Sequence, residues 1–298
     1  MNGTDDTITV AQWNVEHDGG HDGQRWEAAH ELLRSYAPDI VLRQEMTHSH
    51  AQGRKRLYDA ERALGLRGFL APATPESPNA CGVFLNTDVF EPLHEYRHET
   101  LRWHPPCNLV VRFACHPVPL SLTSFHLCSF DPDTRLTEAQ WLTTLAKPGM
   151  VSLIAGDANS YPHAPERIRL PDWDAVEDRS HIAHRTIPDP SGRYSDTRPD
   201  AILTTAGFQD LARYAADHLN QRYALTATAG YRRPDQGGPQ RIDRAYASGG
   251  LAAALTGVEV IDTEEVRAAS DHALLIYRFH RGRMERLLQQ PPVLAAAR

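Results

Sequence analysis

The sequence predicts an α/β protein in which polar residues follow the ends of several strands. Segments with strand character alternate along the chain with segments of helical periodicity. A hydrophobic content of 41% and a charged content of 23% are typical of a globular protein, and 298 residues suffice for a core of ordinary size. Because open α/β sheets bind ligands at strand ends, we expect a functional site where these polar residues meet.

The stretch from residue 151 to residue 160 is the clearest example. Four apolar residues out of five are typical of a strand that is covered on both faces. Gly156 is expected to allow the sharp change of direction that ends the strand. Asp157 and Asn159 lie two apart, so an extended chain would point both side chains to one side, where they could hold a water or a phosphate oxygen. The alternative is a strand followed by an Asx turn, since Asp and Asn are common turn residues.

The N-terminal third is predicted to contain a strand, a helix, a second strand and a second helix. Residues 7–13 alternate as a strand with one covered face does, and residues 24–37 carry apolar positions at helical spacing before Pro38. Residues 39–42 form a second strand and residues 51–64 a basic amphipathic helix, whose charges we interpret as a solvated face. The polar residues that follow the two strands are Asn14, Glu16, Gln44 and Glu45.

The middle of the chain predicts three strands and a helix. The strands are residues 81–85, 108–113 and 120–125, and the last ends at His126, which is either a packed imidazole or a catalytic one. A helix is expected from about residue 134 to residue 146, with Glu138 facing solvent. Its apolar side is expected to carry Leu136, Trp141, Leu142 and Leu145.

The last third begins with residues 161–199, which show little periodicity and are interpreted as long loops. A helix near residues 211–219 and strands at 241–247 and 258–261 follow. Asp243 and Ala245 should face away from Ile242 and Arg244 unless a bulge intervenes. Asp271 and His272 directly precede a final strand to residue 277, and a tail from about residue 279 is expected to be a surface helix with a frayed end.

Composition narrows the possible classes. The chain contains no run of 18 apolar residues, and residues 1–6 lack the features of a signal peptide, so a cytoplasmic protein without a membrane segment is expected. The net charge of −7 argues against broad electrostatic affinity for duplex nucleic acid. The four cysteines lack paired spacing, so they indicate neither a zinc knuckle nor a disulfide scaffold and are expected to be reduced and mostly packed.

The polar residues at the strand ends share a chemistry. Their carboxylates are hard oxygen ligands without thiolates beside them, which suits Mg²⁺ or Mn²⁺ and not structural zinc. Two histidines and an amide remain to hold an anion, and this combination is what hydrolysis of a phosphate ester requires. The set is Asn14, Glu16, Glu45, His126, Asp157, Asn159, Asp243, Asp271 and His272.

The order of these motifs resembles the DNase I-like endonuclease/exonuclease/phosphatase superfamily. The matching pieces run from near residue 8 to near residue 277 and are Trp13-Asn14-Val15-Glu16, Gln44-Glu45, Ser124-Phe125-His126-Leu127, Gly156-Asp157-Ala158-Asn159, Arg241-Ile242-Asp243 and Ser270-Asp271-His272. The resemblance implies one domain over residues 1–298 with a four-layered α/β sandwich, in which helices flank two packed β-sheets and the site lies at one end.

The resemblance also implies roles around a divalent ion. Glu45 looks like the principal metal ligand, with Glu16 and Asp271 close to the ion. Asn14 and Asn159 would contact metal-bound or phosphate oxygens.

For the reaction itself, the resemblance implies in-line attack by water without a covalent intermediate. Asp157 would orient and deprotonate that water. Asp243 would fix the ring of His272 beside the phosphate, and His126 would hydrogen-bond a phosphoryl oxygen.

We therefore expect a divalent-metal-dependent phosphoesterase, either a nuclease or a phosphatase acting on a small metabolite. Its substrate would be a nucleic acid or a small phosphate ester, and the sequence leaves this choice and the oligomeric state open. The alternative is a phosphate-binding protein that keeps the fold without turnover, and metal-stimulated hydrolysis separates the two.

Overall fold

A computed structural model describes residues 6–98, 103–164, 170–189 and 192–289. In this part of the chain two six-stranded sheets pack face to face, and a separate two-stranded hairpin lies in the second half. The strands are β1 (Thr7–Asn14), β2 (Ile40–Thr47), β3 (Arg67–Leu70), β4 (Asn79–Leu85), β5 (Phe90–Tyr96), β6 (Cys107–Phe113), β7 (Leu120–His126), β8 (Val151–Asp157), β9 (Thr186–Asp189), β10 (Gly192–Ser195), β11 (Gln209–Asp210), β12 (Asp243–Ala247), β13 (Leu255–Ile261) and β14 (Leu274–His280). The α-helices are α1 (Gly23–Ser35), α2 (Lys55–Leu64), α3 (Pro132–Leu142), α4 (Arg179–Arg185), α5 (Arg198–Thr205), α6 (Leu211–His218), α7 (Glu264–Ala269) and α8 (Arg281–Gln289).

Each large sheet has one parallel pair of strands near its middle. The first sheet has the order β13-β14-β1-β2-β4-β3, and β1 and β2 are parallel. The second has the order β11-β12-β8-β7-β6-β5, and β7 and β8 are parallel. Because the carboxyl ends of parallel strands meet at one edge, each sheet brings two strand ends to the same place.

Three apolar layers hold the sandwich together. The largest lies between the sheets and contains inward-facing residues such as Val10 and Leu153. The second joins the outer face of the first sheet to α1, α2 and α7, and the third joins the outer face of the second sheet to α3 and α5. The four-layered α/β sandwich predicted from the sequence is therefore confirmed.

The interpretation of β1 as half-covered is wrong. All its residues after Thr7 are buried, because α1 and α7 cover one face and the second sheet covers the other. Polar residues such as Gln12 therefore lie inside the sandwich and not in solvent. The side of β1 that faces the second sheet is apolar at Ile8 and Val10 and becomes polar at Gln12.

The expected role of Gly156 is also wrong. Gly156 lies within β8, where it pairs with Phe125 of β7 and with Arg244 of β12, so the strand does not turn there. A Cβ atom at this position would approach the carbonyl oxygen of Phe125 to 1.7 Å. Glycine is needed because the two backbones lie close together.

Residues 161–199 are more ordered than the predicted loops. Their described parts contain α4 and the β9–β10 hairpin, and α5 begins at Arg198. These elements are short and polar, so they show little periodicity in the sequence. For the same reason the sequence did not indicate β3, β5 or α7.

The buried side of α3 differs from the predicted one. Arg135, Glu138, Ala139 and Leu142 are buried, so the prediction that Glu138 faces solvent is wrong. The Glu138 carboxylate accepts a hydrogen bond of 2.7 Å from the backbone N–H of Cys128. A buried carboxylate is stable in such a position when backbone donors satisfy it.

The end of the chain is better packed than expected. β14 continues to His280, and α8 follows with Met284 and Leu288 buried in the layer between the sheets. The predicted helix is confirmed as a helix, but one side of it belongs to the core. The frayed end predicted beyond it lies outside the described residues.

The prediction that the cysteines are mostly packed is confirmed. Cys81, Cys107 and Cys128 are buried, Cys115 is exposed, and all four are free.

Candidate active site

The inward-facing side chains change from apolar to polar toward one end of the sandwich. In β8 the inward set runs through Val151, Leu153 and Ala155, which belong to the inter-sheet layer, and the period of two places Asp157 next in that row. The same period places Asn14 at the end of β1 and His126 at the end of β7. The carboxyl ends of both parallel pairs therefore enclose a polar cluster between the sheets.

β12 brings Asp243 to this cluster from the opposite direction. It runs antiparallel to β8 with Asp243 opposite Asp157 and no register shift, so Asp243 and Ala245 share the inward face. The predicted alternation of this strand is confirmed. Two carboxylates from neighbouring strands thus face the same space.

A bulge aims Glu45 at the cluster. The pairing of β2 with β4 shifts between Arg43 and Met46, and Glu45 has a φ of 54°, which is uncommon for a residue other than glycine. The Glu45 carboxylate accepts hydrogen bonds from Asn14 Nδ2 at 3.2 Å and from the backbone N–H of His17 at 2.9 Å. Such backbone outliers recur at functional sites, where the surrounding structure holds them in place.

Asp157 lies at the centre of the cluster. One carboxylate oxygen, Oδ2, lies 3.4 Å from Asn14 Nδ2, 3.5 Å from His126 Nε2 and 3.8 Å from His272 Nε2. Burial alone would raise the pKa of Asp157, but His272, His126 and Arg185 together lower it below its ordinary value. Asp157 is therefore ionised at neutral pH.

Asp243 and His272 form a buried pair beside Asp157. His272 Nδ1 donates a hydrogen bond of 2.8 Å to Asp243 Oδ2, which leaves Nε2 directed toward Asp157. Burial alone would lower the pKa of His272, but the charge and hydrogen bond of Asp243 hold that pKa well above its usual range. The ring is therefore protonated at neutral pH and held in one orientation.

Asn159 adopts the turn that the sequence left as an alternative. Its φ is 47°, so the chain is not extended there, and its backbone N–H donates to Asp157 Oδ1 at 2.8 Å in an Asx turn. Its side chain Nδ2 donates to the carbonyl of Leu127 at 2.8 Å. Asn159 thus fixes the Asp157 carboxylate and ties it to the segment after His126.

The two remaining predicted residues lie nearer the surface. The Glu16 carboxylate is 43% exposed and pairs with Arg25 Nη2 at 2.9 Å. Asp271 is 50% exposed, with Oδ1 3.8 Å from His272 Nε2. Glu16, Glu45 and Asp271 do not form a compact set of three ligand atoms within the described residues.

The carboxylate and imidazole groups that do form such a set are Asp157, Asp243 and His272, whose ligand atoms lie within 4.8 Å of one another. This is a possible metal site by distance. However, His272 Nδ1 is already bonded to Asp243, and a protonated imidazole cannot bind a metal. The chemistry of this set therefore favours proton handling.

The residues around Glu45 fit a hard divalent cation better. Asn14 Oδ1 is buried and has no hydrogen-bond partner among the described residues, and its amide lies against the Glu45 carboxylate. Buried polar atoms are normally satisfied, so an oxygen left in this state indicates a ligand. An amide oxygen beside a carboxylate is the donor type that Mg²⁺ and Mn²⁺ prefer.

Sequence reasoning missed His104. Its ring stacks on His126 with centroids 4.3 Å apart, and Nδ1 lies 2.9 Å from the carbonyl of Asn79. Burial and the neighbouring His126 lower the pKa of His104 to about 3, so it is neutral and supports the His126 ring by stacking. No motif marks it, because it belongs to the loop before β6.

Sequence reasoning also missed Arg185 at the end of α4. Its charge acts on Asp157 and on Tyr161, although the segment that carries it shows no periodicity. Its basic character in a polar segment was the only available signal.

The fold of this chain is already seen in solved structures. Humanized D. rerio TDP2 carrying 14 mutations matches with a TM-score of 0.61 and 18% identity over 92% of this chain and 99% of that one. An AP endonuclease from Archaeoglobus fulgidus gives 0.61 and 17% over 91% and 99%, and an endonuclease/exonuclease/phosphatase from Bacteroides vulgatus gives 0.65 and 14% over 92% and 98%. These similarities show the DNase I-like fold.

The family follows from the sequence match. The model of the endonuclease/exonuclease/phosphatase family matches residues 11–272, so this chain belongs to that family. None of the curated proteins matches the chain in a sequence comparison. The described residues contain no helix with the length and apolar character needed to cross a bilayer.

Proposed function

We propose that this protein is a divalent-metal-dependent phosphoesterase that hydrolyses a phosphate ester by in-line attack of water. The observation that carries the proposal is the arrangement around Asp157. An ionised carboxylate lies within 4 Å of two imidazoles, and one of these is held protonated by a second carboxylate. A base and a fixed acid at such separation are what proton transfer in hydrolysis needs.

The ion would be Mg²⁺ or Mn²⁺, held by Glu45 with Asn14 and with Glu16 and Asp271 nearby. When bound, such an ion neutralises phosphoryl oxygens and orients them for attack. Glu16 pairs with Arg25 and Asp271 is half exposed, which supports a weaker contribution of Glu16 and Asp271 than of Glu45 to ion binding.

The protein groups divide the reaction among them. Asp157 Oδ2 accepts the proton of the attacking water, because its pKa is low enough to leave it ionised and it faces the interior of the site. His272, held by Asp243, places a positive Nε2 beside the phosphate, where negative charge develops in the transition state. His126 hydrogen-bonds a phosphoryl oxygen, and Asn159 keeps Asp157 oriented.

The substrate belongs to one of two groups, nucleic acids or small phosphate esters. D. rerio TDP2 with a single-stranded DNA product is among the matching structures, at 16% identity and a TM-score of 0.58. That likeness supports testing DNA first. The net charge of −7 favours a substrate that the site itself selects over one held by a broad basic surface.

The test compares hydrolysis of bis(p-nitrophenyl) phosphate with that of p-nitrophenyl phosphate, with Mg²⁺, with Mn²⁺ and with EDTA. Asp157→Asn should lose about 10²-fold or more in rate, because it removes the base. Asp88→Asn is the matched control: Asp88 is exposed in the turn after β4, and the start of β2 pairs with the end of β4, which places it at the opposite end of the sheet from Glu45.

The two substrates distinguish a nuclease or phosphodiesterase from a phosphatase. Preference for the diester, lost in Asp157→Asn, would indicate a nuclease or phosphodiesterase, and preference for the monoester a phosphatase. Phosphate binding by the wild type without turnover of either ester or of DNA would favour a binding protein on this fold and contradict the proposal.

A further inference from the structure

Arg185 is an arginine without an anion beside the candidate active site. Its Nε and Nη1 atoms are buried and have no hydrogen-bond partner within residues 6–98, 103–164, 170–189 and 192–289. Among the described residues, no carboxylate lies within ion-pair distance of its guanidinium. A buried cation left in this state costs free energy unless a ligand supplies the negative charge.

Three buried arginines of this chain are paired with carboxylates, whereas the buried Arg244 makes no ion pair among the described residues and donates to Ser160 Oγ at 2.6 Å. Arg43 binds Asp18 at 2.8 Å, Arg135 binds Asp196 at 3.1 Å, and Arg241 binds Asp210 at 2.7 Å. The fold therefore supplies a carboxylate to each of these three arginines. Arg185 differs from these three.

Asp196 and Asp157, two carboxylates on segments linked to Arg185, already have other partners. The Asp196 backbone N–H donates to the carbonyl of Arg185 at 2.9 Å, but the Asp196 side chain binds Arg135 and, at 2.9 Å, Arg198. Asp157 has two imidazoles around it. Neither carboxylate makes an ion pair with the guanidinium of Arg185.

The backbone fixes Arg185 next to the catalytic segment. The Tyr161 N–H donates to the carbonyl of Asp196 at 2.9 Å, and Asp196 donates in turn to Arg185. Arg135 adds a hydrogen bond of 2.8 Å to the carbonyl of His184. Arg185 thus lies two hydrogen-bonded steps from the segment that carries Asp157 and Asn159.

Electrostatics link Arg185 to the candidate active site. Burial raises the pKa of Tyr161 and Arg185 acts to lower it, and Arg185 also helps to lower the pKa of Asp157. A positive charge that acts on both residues also acts on an anion bound in front of Asp157. A phosphate is the anion that the proposed reaction brings into that space.

We propose that Arg185 is a substrate-binding residue that donates hydrogen bonds to a phosphoryl oxygen through its partly buried guanidinium. This inference rests on the proposed function, because it takes the phosphate ester from there. The guanidinium suits phosphate through its planar array of donors and its permanent charge. Arg185 holds the phosphate in the ground state and in the transition state alike, so its main effect is on binding.

The experiment uses Arg185→Gln and Arg185→Lys of the full chain, with inorganic phosphate as the probe. The phosphate dissociation constant is measured by calorimetry, and its inhibition constant is measured against the better ester. Arg185→Gln should raise both constants and KM by about 10- to 100-fold with a much smaller change in kcat, as expected for a lost charged hydrogen bond. Arg185→Lys should restore part of the affinity, because it keeps the charge but not the donor array.

Arg112→Gln is the matched control. Arg112 lies on β6 at the end remote from His126, since Cys107 at the other end of β6 pairs beside Ser124, and it binds Glu91 on the surface. Its phosphate constants should equal those of the wild type. Thermal unfolding of every variant shows whether the fold is intact.

Unchanged phosphate affinity and KM in a folded Arg185→Gln variant would overturn the inference, even when the wild type is an active enzyme. If that variant unfolds, Arg185→Lys decides, and a phosphate constant equal to that of the wild type overturns the inference. Phosphate binding that depends on Arg185 in a wild type without turnover would instead support this inference while contradicting the proposed function.

Discussion

Replacing Asp243 with asparagine should lower the pKa of His272, so that the ring loses its positive charge at a lower pH. The substitution keeps the size of the side chain and an oxygen that can accept from Nδ1, where the bond is now 2.8 Å long. It removes the negative charge that, against the effect of burial, holds the pKa of His272 well above its usual range. Breaking a buried ion pair costs about 3–5 kcal/mol when the remaining charge cannot escape. Here the ring can release its proton, so the loss of unfolding free energy should lie at or below that range.

The sign of the pH dependence follows from the direction of the shift. In the unfolded chain a histidine titrates near pH ~6.5. Because the folded-state pKa of His272 is raised, the stabilisation from the pair is complete below about pH 6.5 and is lost as pH rises through the folded-state pKa. The difference in unfolding free energy between wild type and Asp243→Asn should therefore be largest in mildly acidic solution and shrink at high pH.

The assay is urea unfolding from about pH 5.5 to 9.5 with EDTA, beside kcat measured with metal. Loss of the positive imidazole should lower kcat by about 10²- to 10⁴-fold. Asp210→Asn is the control, because it breaks the buried pair with Arg241, which stays charged throughout this range. Its stability loss should not depend on pH. A loss in Asp243→Asn that is equally independent of pH, or a wild-type His272 ring that titrates near ~6.5 by NMR, would refute the reasoning.

Two further changes test the ion site and the scaffold beneath it. Glu45→Gln should raise the Mg²⁺ or Mn²⁺ concentration needed for half-maximal activity by more than about 10-fold. Glu16→Gln should have a smaller effect, because Glu16 already pairs with Arg25. Equal effects of the two substitutions in a metal titration would contradict this order. Glu138→Ala should lower the unfolding free energy, measured in urea, by about 1–3 kcal/mol, because it leaves the buried N–H of Cys128 without its acceptor. The control Glu31→Ala, on the exposed side of α1, should change the unfolding free energy by less than about 0.5 kcal/mol. Similar losses in the two variants would argue against a structural role for Glu138.

The strand-end residues were predictable because they depend on local rules. Asn14, His126 and Asp157 each follow an apolar strand, and the period of two places each on the inward face. The sequence places them at strand ends without saying which sheets face each other. The family resemblance supplied that step, and the packed sheets confirm it.

The errors have a different origin. Gly156 was interpreted from its freedom to turn, whereas its position is set by the Phe125 carbonyl of the neighbouring strand. Carboxylates are mostly exposed, which favours solvent for Glu138 in the sequence, whereas the backbone N–H groups of Cys128 and Trp103 satisfy it in the fold. Both depend on contacts between segments that local periodicity does not encode.

Arg185 shows how such contacts can indicate function as well as structure. In the sequence it is one of several basic residues in a segment without periodicity. In the fold its backbone is hydrogen-bonded to Asp196, which accepts in turn from Tyr161 beside the candidate active site, while the Asp196 carboxylate binds Arg135 and Arg198. Arg135 has its carboxylate partner within the fold, whereas Arg185 has none among the described residues, and a bound anion would supply it. Asn14 Oδ1 also lacks a hydrogen-bond partner in the part of the chain that the structure describes. A cation would satisfy this oxygen, as a phosphate would satisfy Arg185.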